Sequence, residues 1–315
     1  MFRLQCILFA CLLCPAPGEA ADGTRFGESV VFVDPAASAR ADAQTGPASA
    51  PARSQVRART YAIYGAGALG LAVYANKNWW SEGFTGKFRT IDEGWFGQNT
   101  ADGGADKLGH AMANYVGTRL LARGFEWAGN DGQTSLKYAA WSVLGTFTVV
   151  EVLDGFTTRW RFSKEDAAMN AIGVGVAVLM ERQPALDRLI DLRLHYRPSS
   201  DPSISYGFDP FGDYSGQTYL VVAKATGVPA LREHPVWRYF ELAVGYGTRG
   251  YHVGPGFPGE RSRNVYYGVS LNLSELLSRT AFRGAERKST TQRFFDLALE
   301  FVQVPGTAAS VKHGL

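Results

Sequence analysis

Three apolar, glycine-bearing stretches of this chain carry ionisable residues at one end. Asp106, Lys107 and His110 open DKLGHAMANYVGTRLL, Glu151 and Asp154 close AAWSVLGTFTVVEVLDG, and Asp166 and Asn170 open EDAAMNAIGVGVAVLM. Burying a charge costs several kcal/mol unless it is paired, so a shared polar centre would satisfy these groups together. Asp106 and His110 are one helical turn apart. The carboxylate can therefore orient the imidazole, or both can face one ligand, while Lys107 points about 100° away to pair elsewhere. Glu151 and Asp154 fall at a helix C-terminal end, whose negative partial charge raises the cost of two carboxylates. A cation, a proton or a nearby arginine (Arg159 or Arg161) would relieve it.

Three chemistries suit this set. The charges can cap helices and pair in a buried network that fixes the fold. Alternatively, His110 can act as general base or acid, oriented by Asp106 with Glu151 or Asp154 as partner. In a third reading, no cofactor being otherwise indicated, His110 and two or three carboxylates hold a divalent metal, as the cores of helix bundles can. No G-x-S-x-G elbow, H-E-x-x-H pair or P-loop occurs. Gly65, Gly67 and Gly70 have dinucleotide-loop spacing, but no strand precedes them.

The elements that must position these residues are read from periodicity. YAIYGAGALGLAVYAN (61–76) is uncharged and rich in small residues, which suits a buried or membrane-embedded helix. A Gly/Asp-rich connection over 81–105 leads to a helix from Asp106 to Arg123, with Asp106, His110, Ala113, Gly117 and Leu121 on one face. A third helix runs from Thr134 to Gly155. A fourth is capped by Ser163, with Asp166 completing a capping box, and ends near Arg182; ALDRLIDL follows as a short amphipathic piece. After about residue 192 the period becomes alternating. Phe240, Leu242, Val244 and Tyr246 alternate with Glu241, Ala243 and Gly245; NVYYGVSLNL and QRFFDLALEFVQV repeat the pattern, and 192–197 and 216–224 are weaker candidates. The expected fold is α+β: a bundle of about four apolar helices (59–190), an antiparallel sheet of four or five strands (191–305) and a flexible tail (306–315).

The address comes from the first residues. Met1-Phe2-Arg3, the apolar CILFACLLC and Gly18-Glu19-Ala20 read as a secretory signal peptide (1–20) cut after Ala20. A second reading takes Leu8-Phe9-Ala10-Cys11 as a lipobox with Cys11 acylated. All three cysteines lie in this leader, so the exported chain would have no thiols. Residues 21–58, rich in Ala, Pro, Ser and Arg, read as a disordered linker. A formal net charge of +3 without a Lys/Arg run argues against nucleic acid. Membrane or envelope components are the expected partners, at the periplasmic face of either membrane, in an oligomeric state the sequence does not fix.

Four pieces in order carry a family likeness: Asp106-Lys107-Leu108-Gly109-His110, Glu151-Val152-Leu153-Asp154-Gly155-Phe156, Asp166-Ala167-Ala168-Met169-Asn170-Ala171-Ile172-Gly173 and Tyr214-Ser215-Gly216-Gln217-Thr218-Tyr219. On these, residues 60–273 resemble the YfiM-like predicted periplasmic lipoproteins, a domain of unknown function. Asp106, Lys107, His110, Glu151, Arg161, Asp166 and Asn170 also give the chain a likeness to VanZ-type membrane proteins. Both resemblances imply an envelope setting rather than a reaction.

Overall fold

The computed structural model describes residues 51–199, 211–251, 260–284 and 287–315. The expected leader and most of the linker lie outside them. Four long helices come first: α1 (Arg53–Asn78), α2 (Ala105–Ala128), α3 (Gly132–Asp154) and α4 (Lys164–Arg182). A two-residue parallel pair, β1 (Thr90–Ile91) with β2 (Phe162–Ser163), ties the 81–105 connection to the start of α4. A short α5 (Pro184–Leu189) then leads into the sheet.

Local chemistry sets the helix ends. Asp102, Gly103 and Gly104 all have positive φ, a turn that glycine permits cheaply, and α2 starts directly after it. At the other end of α2, left-handed Gly129 donates its N–H to Glu126 O. Asp131 caps α3 by accepting from Thr134 N, and Ser163 caps α4 by accepting from Asp166 N. Gly155 ends α3 with ordinary right-handed geometry. Its lack of a side chain instead makes room for Phe88, whose ring a Cβ would meet at 2.2 Å.

Helix α2 is the axis of the helical half, packed on α1, α3 and α4. Leu121, Ala122 and Phe125 of α2 meet Leu136, Ala139 and Val143 of α3 and Val174 of α4. Gly173 brings α4 against the α2 backbone, since a Cβ there would lie 2.1 Å from Ala111 O. Fully buried Arg119 ties α2 to Glu181 of α4 (2.8 Å), Asp187 of α5 (2.7 Å) and Glu300 (3.0 Å). The helices are nevertheless not the sealed apolar bundle that the pattern suggests. Helix α1 buries only Thr60 and Ala75, because a Gly/Ala-rich helix has little apolar bulk to pack, and it begins at Arg53, inside the expected linker. It runs alongside α3 in the same direction: Asn130 Nδ2 donates to Thr60 Oγ1 (2.7 Å) near one end, and Trp80 Nε1 donates to Asp154 Oδ1 (2.6 Å) at the other.

The second half is a five-stranded antiparallel sheet in chain order: β3 (Ile190–Tyr196), β4 (Gln217–Lys224), β5 (Phe240–Arg249), β6 (Ser262–Leu271) and β7 (Ala308–Gly314). A short α6 (Pro229–Arg232) lies between β4 and β5. Helices α7 (Leu273–Arg279) and α8 (Thr290–Phe301) lie between β6 and β7. Two expectations fail here. Residues 290–301 form a helix rather than a strand, because Phe294, Leu297 and Phe301 also fit a 3.6-residue period and Ser289 caps it through Gln292 N. The expected flexible tail is β7, hydrogen-bonded to the open edge of β6 with Val311 opposite Tyr267.

The alternation along β5 and β6 is real, but the small and polar face is the buried one. Asp191, Arg193, Val222, Glu241, Ala243 and Ser270 are buried. The apolar row Val221–Val244–Tyr267–Val311, four direct cross-strand neighbours, faces outward, with Leu242 64% exposed beside it. Inside, Arg193 grips Glu241 with both terminal nitrogens (2.6 and 2.9 Å) and Asp191 with one (2.6 Å). Gln303 and Ser270 complete this network, and Lys224 pairs with Asp191.

Candidate functional site

The starts of α2 and α4 and the end of α3 converge, and six of the seven expected site residues meet there in one connected network. Lys107 is its hub and not an outlier. Fully buried, its ammonium bonds Asp106 Oδ2 and Asp166 Oδ1, both at 2.7 Å, and also Glu93. Burial alone would push the Lys107 pKa down, but the Asp106 and Asp166 carboxylates outweigh it and push the pKa up.

His110 reaches solvent, its side chain 25% exposed, as does Glu93 at 20%. Nδ1 lies 3.1 Å from Asn170 Oδ1 and 3.6 Å from Glu151 Oε1, and Nε2 lies 3.8 Å from Asp166 Oδ2. Asn114 Nδ2 also donates to Asn170 Oδ1, at 2.6 Å. That atom is thus an acceptor, and Nδ1 must carry the imidazole hydrogen in the neutral ring. Nε2 is then the nitrogen free to take a proton.

Asp106 and Asp154 therefore do not hold the places the spacing suggested. Asp106 turns to Lys107, and its Oδ1 has no hydrogen-bond partner among the described residues. Asp154 is held by Trp80. Asp166 does not close a capping box: Ser163 caps its N–H, but its carboxylate goes to the centre. Arg159 pairs with Glu82 and stacks on Trp160, so it relieves neither carboxylate of α3. The imidazole is oriented by Asn170, Glu151 and Asp166 instead.

Sequence reasoning missed Glu93, Asn114 and Trp80. Asn114 was accessible, because Lys107, His110 and Asn114 repeat at i, i+3 and i+7; this stripe and not the Asp106–Ala113–Gly117 one faces the centre. Glu93 arrives on an irregular connection and left no periodic signal. The Tyr214–Tyr219 piece closes another side, with Tyr214 and Tyr219 packed so tightly on Gly109 that a Cβ there would lie 2.9 Å from the Tyr214 ring and 2.9 Å from the Tyr219 hydroxyl.

Carboxylates outnumber cations here. Burial, with Asp166 and Asp154 adding to it, lifts Glu151 to about 8; burial lifts Asp106 to about 7 and Asp154 to about 6. Burial would also raise Asp166, but His110 and Lys107 outweigh it and hold its pKa below the ordinary carboxylate value. The three raised groups, and Glu93, which burial also lifts, hold protons in the folded state that the unfolded chain releases. Their effect is thus to lower stability as pH rises from about 4 to about 8, while the Asp166 contribution is lost only below its usual 3.8. Melting temperature should fall between pH 5 and pH 8. Glu151→Gln, which mimics the protonated acid, should be the more stable protein at pH 8 by on the order of 1–2 kcal/mol and should flatten that slope. Parallel pH–melting curves for the two proteins would contradict this assignment.

His110, Glu151 and Asp166 also offer ligand atoms within 4.8 Å of one another, as do Glu93, Asp106 and Asp166. The first group could receive a divalent cation with small shifts. The second already surrounds the Lys107 ammonium, which serves as its cation.

Residues 92–182 match a protein family described as "Predicted periplasmic lipoprotein (DUF2279)". The match takes in α2, α3 and α4, and with them Glu93 and every residue of the centre drawn from those helices; it stops before the sheet. Its description agrees with an exported, periplasmic chain. No curated protein and no solved structure matches the chain.

Proposed function

We propose that the protein is an exported, membrane-associated component of the cell envelope, working in its assembly or maintenance as an acid–base hydrolase or transferase on an envelope lipid or glycan. The observation that carries this reading is the placement of His110: a solvent-reaching imidazole at the edge of a largely buried network, its Nδ1 on Asn170 Oδ1 and its Nε2 facing Asp166. In this role Nε2 takes the proton of an attacking water or hydroxyl and returns it to the leaving group. The Asp166 carboxylate stabilises the imidazolium formed between those two steps. Glu151, neutral at pH 7, leaves Asp166 as the charged acid nearest the ring. The match of residues 92–182 to predicted periplasmic lipoproteins supports the envelope setting.

A second reading, a purely structural network, draws on Lys107, which is fully buried and saturated by three carboxylates. His110→Gln separates the two. Incubated with envelope lipid and glycan extracts and followed by mass spectrometry, the wild type should release products. The variant should release them about 100-fold more slowly or worse, with its melting temperature within a few degrees of wild type. Equal product formation by both proteins, or none by either, would sink the catalytic reading. A variant that fails to fold would favour the structural one.

A further inference from the structure

We infer that the outward faces of α1 and α3 form a single lipid-contacting surface, on which the protein lies in the headgroup boundary of an anionic bilayer. This rests on the membrane association proposed above but not on the chemistry of His110.

The two helices lie side by side and each presents an apolar stripe to solvent. On α3, Tyr138, Trp141, Gly145, Val149 and Val152 share one face, and Trp141 is 68% exposed. On α1, Tyr61, Gly65, Leu69 and Val73 do the same, with Tyr61 and Leu69 72% and 67% exposed. No charged residue interrupts α1 between Arg59 and Lys77, or α3 between Lys137 and Glu151. Monomeric soluble proteins rarely leave contiguous apolar surface of this extent open to water.

The rim identifies the occupant. Arg53, Arg57 and Arg59 are exposed at the start of α1, whose first turn holds no acidic residue. Arg53 and Arg57 line, with Tyr61, Tyr64, Tyr138 and Trp141, a groove of about 1060 Å³ between the two helix starts; Asp131 is the acidic residue in its wall. Guanidinium and aromatic groups around an apolar stripe match the headgroup level of an anionic membrane, where arginine pairs with phosphate and Trp and Tyr rings sit between water and hydrocarbon. Trp79 and Trp80 mark the far end of α1.

The helices rest on the bilayer and do not cross it. By length and composition α3 could span, and only 22% of its apolar window is buried. However, α2 packs directly behind it and carries Asp106, Lys107, Arg119 and Arg123, and crossing would carry this charged layer into hydrocarbon.

Vesicle flotation of the exported form, residues 21–315, tests the surface. Vesicles of phosphatidylglycerol and phosphatidylethanolamine should bind the protein more strongly than phosphatidylcholine vesicles. Leu69→Ser combined with Val149→Ser should lower partitioning roughly tenfold or more, because both side chains are mostly exposed and their loss removes chiefly outward-facing apolar surface. Leu242→Ser with Val244→Ser, on the outward face of the sheet, should leave binding unchanged. If the unmodified protein does not float, this surface and the membrane association both fail. If it floats and the helix-face pair floats equally well, or the sheet pair abolishes binding, this surface alone fails. A change from dimer to monomer in the helix-face pair by light scattering, without loss of flotation, would assign the stripe to a second copy of the chain and overturn the inference.

Discussion

Lys107→Met is expected to destabilise the protein by about 3–5 kcal/mol at pH 8, the usual cost of removing one partner from a buried ion pair. Methionine fills a similar volume, so the loss is electrostatic: Glu93, Asp106 and Asp166 would face one another without the ammonium that all three bind. The penalty should shrink at pH 5. Burial has already lifted Glu93 and Asp106, and losing the cation lifts them further, so acid supplies protons in place of the missing charge. Urea denaturation of both proteins at the two pH values measures this directly. A penalty that is equal or larger at pH 5 would show that the three carboxylates do not share Lys107 as their counter-charge.

The second large effect belongs to the sheet. Arg193→Met should cost about 3–5 kcal/mol, because Glu241 loses both of its charge-assisted bonds while fully enclosed, and Asp191 keeps only Lys224. Glu241→Gln added to that variant should recover part of the loss, since a neutral amide can be buried at lower cost than an unpaired carboxylate. A double-mutant cycle by chemical denaturation reads the coupling. Additive losses would mean that the two side chains act independently despite their contact.

Much of the helical half could be read from the chain. The Ser163 cap and the glycine-bearing periods place three helices to within a few residues, because those signals are local. What failed depended on distant partners. Lys107 looked peripheral by helical angle, and only Glu93, on an irregular connection, and Asp166, on another helix, make it central. The 290–301 segment satisfied both a two-residue and a 3.6-residue period, and the competition was decided by its packing: Phe301 lies beside Tyr115 of α2. Residues 308–314 have almost no pattern and become a strand only because β6 offers an edge. In β5 and β6 the period was plain but not its direction. Alternation shows that a strand has two unlike faces, and which of them is covered depends on what packs against it.

That outward-facing apolar row has a consequence for how the chain reaches its fold. During collapse the cheapest way to remove Val221, Val244, Tyr267 and Val311 from water is to turn them inward, and slipping a strand by one residue does so for every side chain on it. The native arrangement thus competes with a misregistered sheet that satisfies local hydrophobicity better, a frustrated choice in landscape terms. What such a slipped sheet cannot do is close Arg193 on Glu241, because these residues sit on β3 and β5, with β4 between them, and meet only in the native register. The buried ion network therefore serves as a proofreading contact for register, penalising the inverted sheet at the step where hydrophobic collapse alone would select it.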